Sequence, residues 1–247
     1  MFTIAYRQLT LAMTGALFLA ACSQQEPPTP IAQATAAPAE AAPAAPPPAP
    51  APILPPGGTY EVDLTHATLA FSVTHLGLSN YVMRFNGYTA TLNLVPEDMS
   101  SSSVRLVIDP TSIDTDYVGD YVATHPDSSF TSWEEDLAQS DKFLNASEHA
   151  EIVFESTSVS SLGGSDYDIT GNLTMLGQTN PVNLQASIVG AMPQHPFTKA
   201  GAIGFTASGS FMRSAFGMDY LLSPPILGDE VSLQFDGEFG QVPDAGE

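Results

Sequence analysis

From Thr59 onward the apolar side chains recur at every second position, and this period excludes most folds before any other property is considered. Leu69, Phe71, Val73 and His75 share one parity, with Thr68, Ala70, Ser72 and Thr74 between them. The same alternation runs through Tyr81, Met83 and Phe85, then Tyr88, Ala90, Leu92 and Leu94, then Val104, Leu106 and Ile108. It returns in Ile152 and Phe154, in Tyr167, Ile169, Leu173 and Met175, and in Val182, Leu184, Ala186 and Ile188. Ile203, Phe205 and Phe211, then Val231, Leu233 and Phe235, close the series. Successive side chains of a strand point to opposite faces, so each set describes an antiparallel strand with one buried face. Turn residues separate the sets: Gly77, Asn86-Gly87, Pro96-Glu97-Asp98, Gly163-Gly164, the stretch Gly177 to Pro181, and Gly228-Asp229. About eight or nine strands with no long helix between them predict an all-β barrel or sandwich.

One stretch departs from the alternation. Residues 110–148 carry no strand pattern, and Thr131 and Ser132 are placed to cap a short helix through Trp133-Glu-Glu-Asp-Leu137. A helical insertion of this length in a barrel predicts a lid or side flap. The apolar face itself mixes large residues (Phe71, Met83, Phe85, Phe154, Met175, Phe205, Phe211) with small ones (Ala90, Ala186, Ala207, Gly209). Two readings stand: a filled core in which large and small side chains interdigitate, or the enclosed cavity that an eight-stranded barrel is just wide enough to hold.

The N-terminus has a different logic. Arg7 precedes an apolar run from about Leu9 to Ala20, too short to span a bilayer as a mature helix. It ends in Leu19-Ala20-Ala21-Cys22, which resembles the lipobox of a bacterial lipoprotein signal. The resemblance implies a signal peptide over residues 1–21 and acylation of Cys22, where two or more chains give a stable anchor and one gives a marginal one. Cys22 is the only cysteine, so no intramolecular disulfide forms. Ser23 follows it, which by resemblance to enterobacterial sorting points to the outer membrane. The Pro- and Ala-rich residues 22–57 cannot bury a core and form a semi-rigid spacer of up to ~90 Å. One domain, residues 58–242, and a short tail, residues 243–247, complete the organisation. The chain holds 27 acidic and 6 basic side chains, a formal net charge of −21. Nucleic-acid binding, driven by Lys and Arg, is therefore excluded as a function class, as is basic-patch docking on anionic lipid.

The domain resembles the YceI-like family of polyisoprenoid-binding proteins. The residues that carry the likeness are Tyr60-Glu-Val-Asp-Leu-Thr-His66, Phe71-Ser-Val-Thr-His75, Ser112-Ile-Asp-Thr115, Asp141-Lys-Phe143 and Ile152-Val-Phe-Glu-Ser-Thr157. Ile169-Thr-Gly-Asn-Leu-Thr-Met-Leu-Gly177 with Asn180-Pro-Val182, then Arg213-Ser-Ala-Phe-Gly-Met218 and Gly228-Asp-Glu-Val231, follow in the family's order. The resemblance implies an extended, lipocalin-like antiparallel barrel enclosing a long isoprenoid or other amphiphilic lipid. It also implies export to the periplasm and a link with isoprenoid quinone metabolism, transport or storage. The cavity wall is then expected to include Phe71, Val73, His75, Met83, Phe85, Trp133, Phe143, Phe154, Met175, Phe205 and Arg213. The expected partners are the lipid and the membrane through acylated Cys22; a homodimer is compatible with this reading. No catalytic residue, metal or cofactor is expected beyond a bound isoprenoid lipid or quinone. Where the family commonly has Arg-Asp-x-His-Leu, this chain has Trp133-Glu-Glu-Asp-Leu137. An indole and carboxylates in place of a cation disfavour a diphosphate head and favour a quinone, amide or alcohol.

Several residues keep two readings. His75 is a core histidine or a contact to the ligand head. Arg213 bonds carbonyls at a barrel corner or faces the cavity mouth, and Trp133 covers the pocket or caps a satellite core. Asp114-x-Asp116-x-x-Gly119-Asp120 begins like a calcium loop, but Val118 occupies a ligand position and His125 replaces the final Glu. His66, His75, His125, His149 and His195 share no metal-binding spacing. No Gly-x-Ser-x-Gly elbow is present. A lipid carrier or store, a structural or adhesin-like sandwich with a filled core, and an enzyme acting on the lipid remain, in that order.

Overall fold

The computed structural model describes residues 52–223 and 226–243. The expected signal peptide 1–21, Cys22, the expected linker as far as Ala51 and the tail from residue 244 lie outside the described residues.

Among the described residues ten strands form a single antiparallel sheet: β1 (Gly58–His75), β2 (Ser79–Phe85), β3 (Tyr88–Leu94), β4 (Ser103–Ile108), β5 (Ile113–Asp114), β6 (Ile152–Gly163), β7 (Asp166–Met175), β8 (Gln178–Met192), β9 (Ala202–Met212) and β10 (Leu227–Gln241). Pairing of β10 with β1 closes eight of them into a barrel, in the order β1-β10-β9-β8-β7-β6-β4-β3. The closing ladder runs from Tyr60↔Gln241 to His75↔Leu227. Closure removes the unpaired edges that an open sheet of this size exposes. The other edge of β1 is divided: Gly58–Glu61 pair with β3, and Leu69–His75 pair with β2. β5 pairs with β2 through Arg84↔Asp114 and Phe85↔Ile113, lengthening the wall on that side.

The period-two rows become the inner face. Tyr88, Ala90, Leu92 and Leu94 are all buried, as are Met83, Phe85, Ile108, Phe154, Leu173 and Met175. They fall into two apolar clusters, one under the flap and one around Tyr60, Leu92, Ile188, Ile203 and Phe239 at the end where β1 begins. Tyr60 is fully buried, and its hydroxyl donates to the Pro56 carbonyl at 2.6 Å. Gly171 is required by packing, because a Cβ there would collide with the Phe154 ring and the Glu155 carbonyl. In the β7–β8 turn, Leu176 and Gly177 take φ of 53° and 71°, the left-handed pair of a type I′ hairpin.

The alternation of β1 is interrupted between Val62 and Ala67, where its register against β10 shifts. Asp63 holds this bulge together. Its carboxylate accepts from the Thr65 amide at 2.9 Å and the Thr65 hydroxyl at 2.7 Å, and lies 2.8 Å from the His66 ring. The Thr65 hydroxyl, then the His66 ring, then the Thr65 amide hold the Asp63 carboxyl down to about 2 from its ordinary 3.8. The same contact raises His66 above its ordinary 6.5. A depressed acid stabilises the fold above its unfolded pKa and loses that contribution as pH falls toward 2. A raised histidine contributes fully below its unfolded pKa and loses the contribution as pH rises through the folded one. The difference in melting temperature between wild type and Asp63→Asn is therefore largest between about pH 4 and 6.5 and shrinks on both sides. Thermal melts across pH 3 to 9 measure it. A difference independent of pH would refute the pairing.

Candidate functional site

The inward rows do not fill the barrel. They enclose a cavity of about 270 Å³, room for on the order of twenty water-sized spheres at about 10–15 Å³ each. Its wall is almost entirely hydrocarbon, with Leu69, Ile108, Leu173, Val182, Leu184, Ala186, Ala207 and Val231 among its residues. The filled-core reading of the apolar face is thereby set aside. Small residues make the space: Ala186 lies opposite Ala207 and Tyr167 in the ladders, and all three line the cavity. Phe71 and Phe85 stack inside it with ring centres 5.0 Å apart.

Of the residues nominated from the sequence, Phe71, Val73, Met83, Phe85, Trp133, Phe143, Phe154, Met175, Phe205 and Arg213 all line this one space. His75 does not line it, and it is not a core histidine. It is exposed at the end of β1, paired with Ser79 and Leu227, beyond a register shift against β10 that begins after Val73. β1 stays in regular register with β2 from Leu69↔Phe85 to His75↔Ser79, so His75 keeps the parity of Leu69, Phe71 and Val73 but stands exposed at the last position of the strand. Met99, Ser102, Ser103, Met218 and Leu227 were not nominated. The first three lie where β4 and β6 separate: their ladder ends at Arg105↔Glu155, with one further bond from the Val104 amide to the Ser156 hydroxyl at 2.9 Å. Met99, Ser102 and Met218 lie outside the strands, and Ser103 and Leu227 are the first residues of β4 and β10, where alternation has barely begun, so no sequence signal pointed to them.

The insertion folds as a flap over one end. It contains α1 (Tyr121–Thr124) and α2 (Trp133–Gln139). Ser132 caps α2 by accepting from the Glu135 amide at 3.1 Å, while the Thr131 amide and hydroxyl donate to the Glu135 carboxylate at 2.8 and 2.7 Å. Trp133 both covers the cavity and anchors an aromatic run. His125 stacks on Tyr121 at 4.5 Å and on Trp133 at 5.5 Å. Phe143 meets Trp133 edge-on at 5.9 Å and Tyr220 at 5.5 Å, tying the flap to the loop after β9. The carboxylates of α2 turn away from the cavity. Glu134 accepts from the Thr115 hydroxyl, Glu135 from Thr131, and Asp136 from the Tyr121 hydroxyl at 2.7 Å. From this segment the cavity meets only indole and Leu137.

Among the described residues, Arg213 is the single Lys or Arg on the cavity wall. It is 3% exposed. Its guanidinium donates to three backbone carbonyls: Gly228 at 2.8 Å, Met218 at 3.0 Å and Leu227 at 3.3 Å. It makes no ion pair among the described residues. Burial lowers its pKa, and nearby Asp229 and Asp219 oppose that shift. Both readings of Arg213 thus meet in one residue, a carbonyl clamp that also borders the ligand space. At the calcium-like stretch the carboxylates have a cation of their own. Asp114 and Asp116 are engaged by Arg84, whose Nε lies 3.1 Å from Asp114 and whose Nη2 lies 2.6 Å from Asp116. Among the described residues no three His, Asp, Glu or Cys side chains converge as a metal site.

Comparison with known proteins gives a consistent result. A YceI-like domain is matched over residues 60–239. A UPF0312 protein of Shewanella sp. strain ANA-3 is 32% identical over 173 residues, covering 70% of this chain and 82% of that protein. Among solved structures, Burkholderia cenocepacia BcnA superposes with a TM-score of 0.57 at 19% identity, over 72% of this chain and 98% of that one. A polyisoprenoid binding domain from Saccharophagus degradans, implicated in plant cell wall breakdown, superposes with a TM-score of 0.52 at 12% identity, over 74% and 98% of the two chains. At these identities the structures report the shared fold.

Proposed function

Because the chain belongs to the YceI-like family, we propose that it binds a polyisoprenoid or similar amphiphilic lipid, of the isoprenoid quinone type, in its barrel and carries or stores it. The observation that supports this is the unfilled interior: a space of about 270 Å³ walled by hydrocarbon. Such a space suits a long apolar tail and offers almost no polar contact along it. A structural neighbour described as a polyisoprenoid binding domain supports the same ligand class. The head is neutral in this reading, because the flap offers an indole and the guanidinium of Arg213 already donates to three carbonyls. We read it as a cell-envelope lipoprotein, anchored through acylated Cys22 to the outer membrane and facing the periplasm, a reading supported by the Leu19-Ala20-Ala21-Cys22 sequence and the Ser23 that follows it. It is read as a binding protein, a reading supported by the family it belongs to and by the hydrocarbon wall of its cavity.

Organic extraction of protein purified from its native membrane, followed by mass spectrometry, tests the proposal. An isoprenoid-tailed lipid with an uncharged head is expected; a prenyl diphosphate would refute the headgroup, and lipid-free protein would refute the function. Trp133, the only tryptophan, gives a second readout. Titration with a ubiquinone analogue is expected to quench its emission in a saturable manner at one equivalent. Emission unchanged at saturating quinone counts against a quinone in this cavity.

A further inference from the structure

The end of the barrel where β1 begins carries a feature the cavity does not use. The β8–β9 connection, residues 193–201, is tied into a compact knot. The His195 amide donates to the Ala200 carbonyl at 2.7 Å, and the Lys199 amide donates to the His195 carbonyl at 2.9 Å. The Lys199 ammonium donates to the Pro196 carbonyl at 2.6 Å, and the Thr198 amide donates to the His195 ring at 3.3 Å. Lys199 takes φ 64°, a left-handed conformation few non-glycine residues adopt. The knot's result is to hold Phe197 outward, 87% exposed, with the His195 ring beside it at 5.7 Å.

Single exposed apolar side chains are ordinary, but Phe197 is not single. Met192, at the end of β8, is 50% exposed, and Ile53 is 80% exposed. Ile53 belongs to the segment that reaches the barrel at this loop: a Cβ on Gly201 would stand 3.2 Å from Pro55 and 2.6 Å from the Tyr60 hydroxyl. Residues 193–201 contain no carboxylate and one of the chain's six Lys and Arg residues, against 27 Asp and Glu overall. The opposite end differs. There the exposed Val118 and Val122 are interleaved with Asp116 and Asp120, and the β1–β2 turn exposes Leu78 at 82% and Leu76 at 51%, but the chain leading back to Cys22 does not leave from that end.

The chain beyond this end identifies what the tip meets. From Pro52 back to Cys22 there are 30 residues, at most about 100 Å of extended chain. A tether of that length keeps a tip near its membrane at roughly millimolar effective concentration, so even a weak apolar contact is populated. We propose that Phe197, with Met192 and Ile53, is an interfacial foot that rests on the bilayer holding acylated Cys22, leaving the flap end directed away from it. The inference rests on the anchoring part of the proposed function and not on the identity of the bound lipid. Contact is apolar, so it needs no basic patch and suits uncharged lipid surfaces.

The test uses the full, acylated chain with Trp133→Phe and Phe197→Trp, reconstituted into vesicles of phosphatidylcholine and phosphatidylethanolamine. Flotation of wild type but not of Cys22→Ser reports the anchor separately. With lipids brominated about 5–10 Å below the headgroups, emission at position 197 is expected to shift to the blue and lose on the order of half its intensity. The parent Trp133→Phe protein supplies the blank. Vesicle-bound protein whose emission at position 197 matches that of protein in buffer would overturn the proposal. So would a blue shift that grows with protein concentration in the absence of vesicles, which would assign the tip to a second copy of the chain.

Discussion

Ala186→Phe is expected to yield a folded protein that no longer retains lipid. Ala186 is buried on β8, opposite Ala207 on one side and Tyr167 on the other, and all three border the cavity. A phenyl ring here enters space that is otherwise available to the ligand. In a filled core, overpacking of this size costs about 1–3 kcal/mol; the cavity of about 270 Å³ relieves most of that strain. A lipid tail denied about three methylenes of buried contact loses about 2.4 kcal/mol, at ~0.8 kcal/mol each. That is roughly a fifty-fold weaker complex. Gln185→Phe, one residue away on the exposed outer face, is the matched control and should leave lipid content unchanged. Circular dichroism and melting establish the fold; mass spectrometry of extracts gives the occupancy. Full lipid content in Ala186→Phe would show that the ligand is not in the barrel.

The same residue shows what the sequence could and could not reveal. Alternation placed Ala186, Phe154 and Met175 on one face, because period two is a direct consequence of strand geometry. It gave the barrel's strands and the capping of the flap helix by Ser132, which is a local event read from local residues. It left open whether the interior is filled, since that depends on how far facing rows stand apart, which only the closing β1–β10 ladder determines. Parity put His75 on the inward face but says nothing of where the strand ends: His75 is the last residue of β1, in regular register with Ser79, and is exposed there. Leu227 and Met218 reach the cavity from segments whose backbone is fixed by long-range contacts, above all by Arg213. Asp114 and Asp116 resembled cation ligands, and their cation turned out to be a guanidinium 30 residues earlier in the chain.

Arg213 carries the other large expected effect. Its three carbonyl acceptors belong to Met218, Leu227 and Gly228, so one side chain joins the start of the 213–228 loop to its end. Arg213→Met keeps most of the apolar stem and removes every donor. Each buried carbonyl left without a partner costs about 1–3 kcal/mol, less whatever water or backbone adjustment recovers. The sum expected is about 3–5 kcal/mol, which in a domain of this size lowers the melting temperature by roughly 10 °C. Arg213→Lys retains the charge, but one ammonium cannot reach three carbonyls held in a fork, so it recovers only part of the loss. Urea unfolding of the three proteins measures the series. A methionine variant within about 1 kcal/mol of wild type would show that the clamp does not hold the loop. Lipid content separates the clamp from a ligand contact. If the guanidinium acts only on the loop, the lysine variant, measured well below its own melting temperature, keeps the lipid that wild type carries. If a headgroup oxygen takes the donors' remaining hydrogens, lipid is lost from the lysine variant while it is still folded. A neutral head in a hydrocarbon cavity predicts the first outcome, because the tail supplies most of the buried contact.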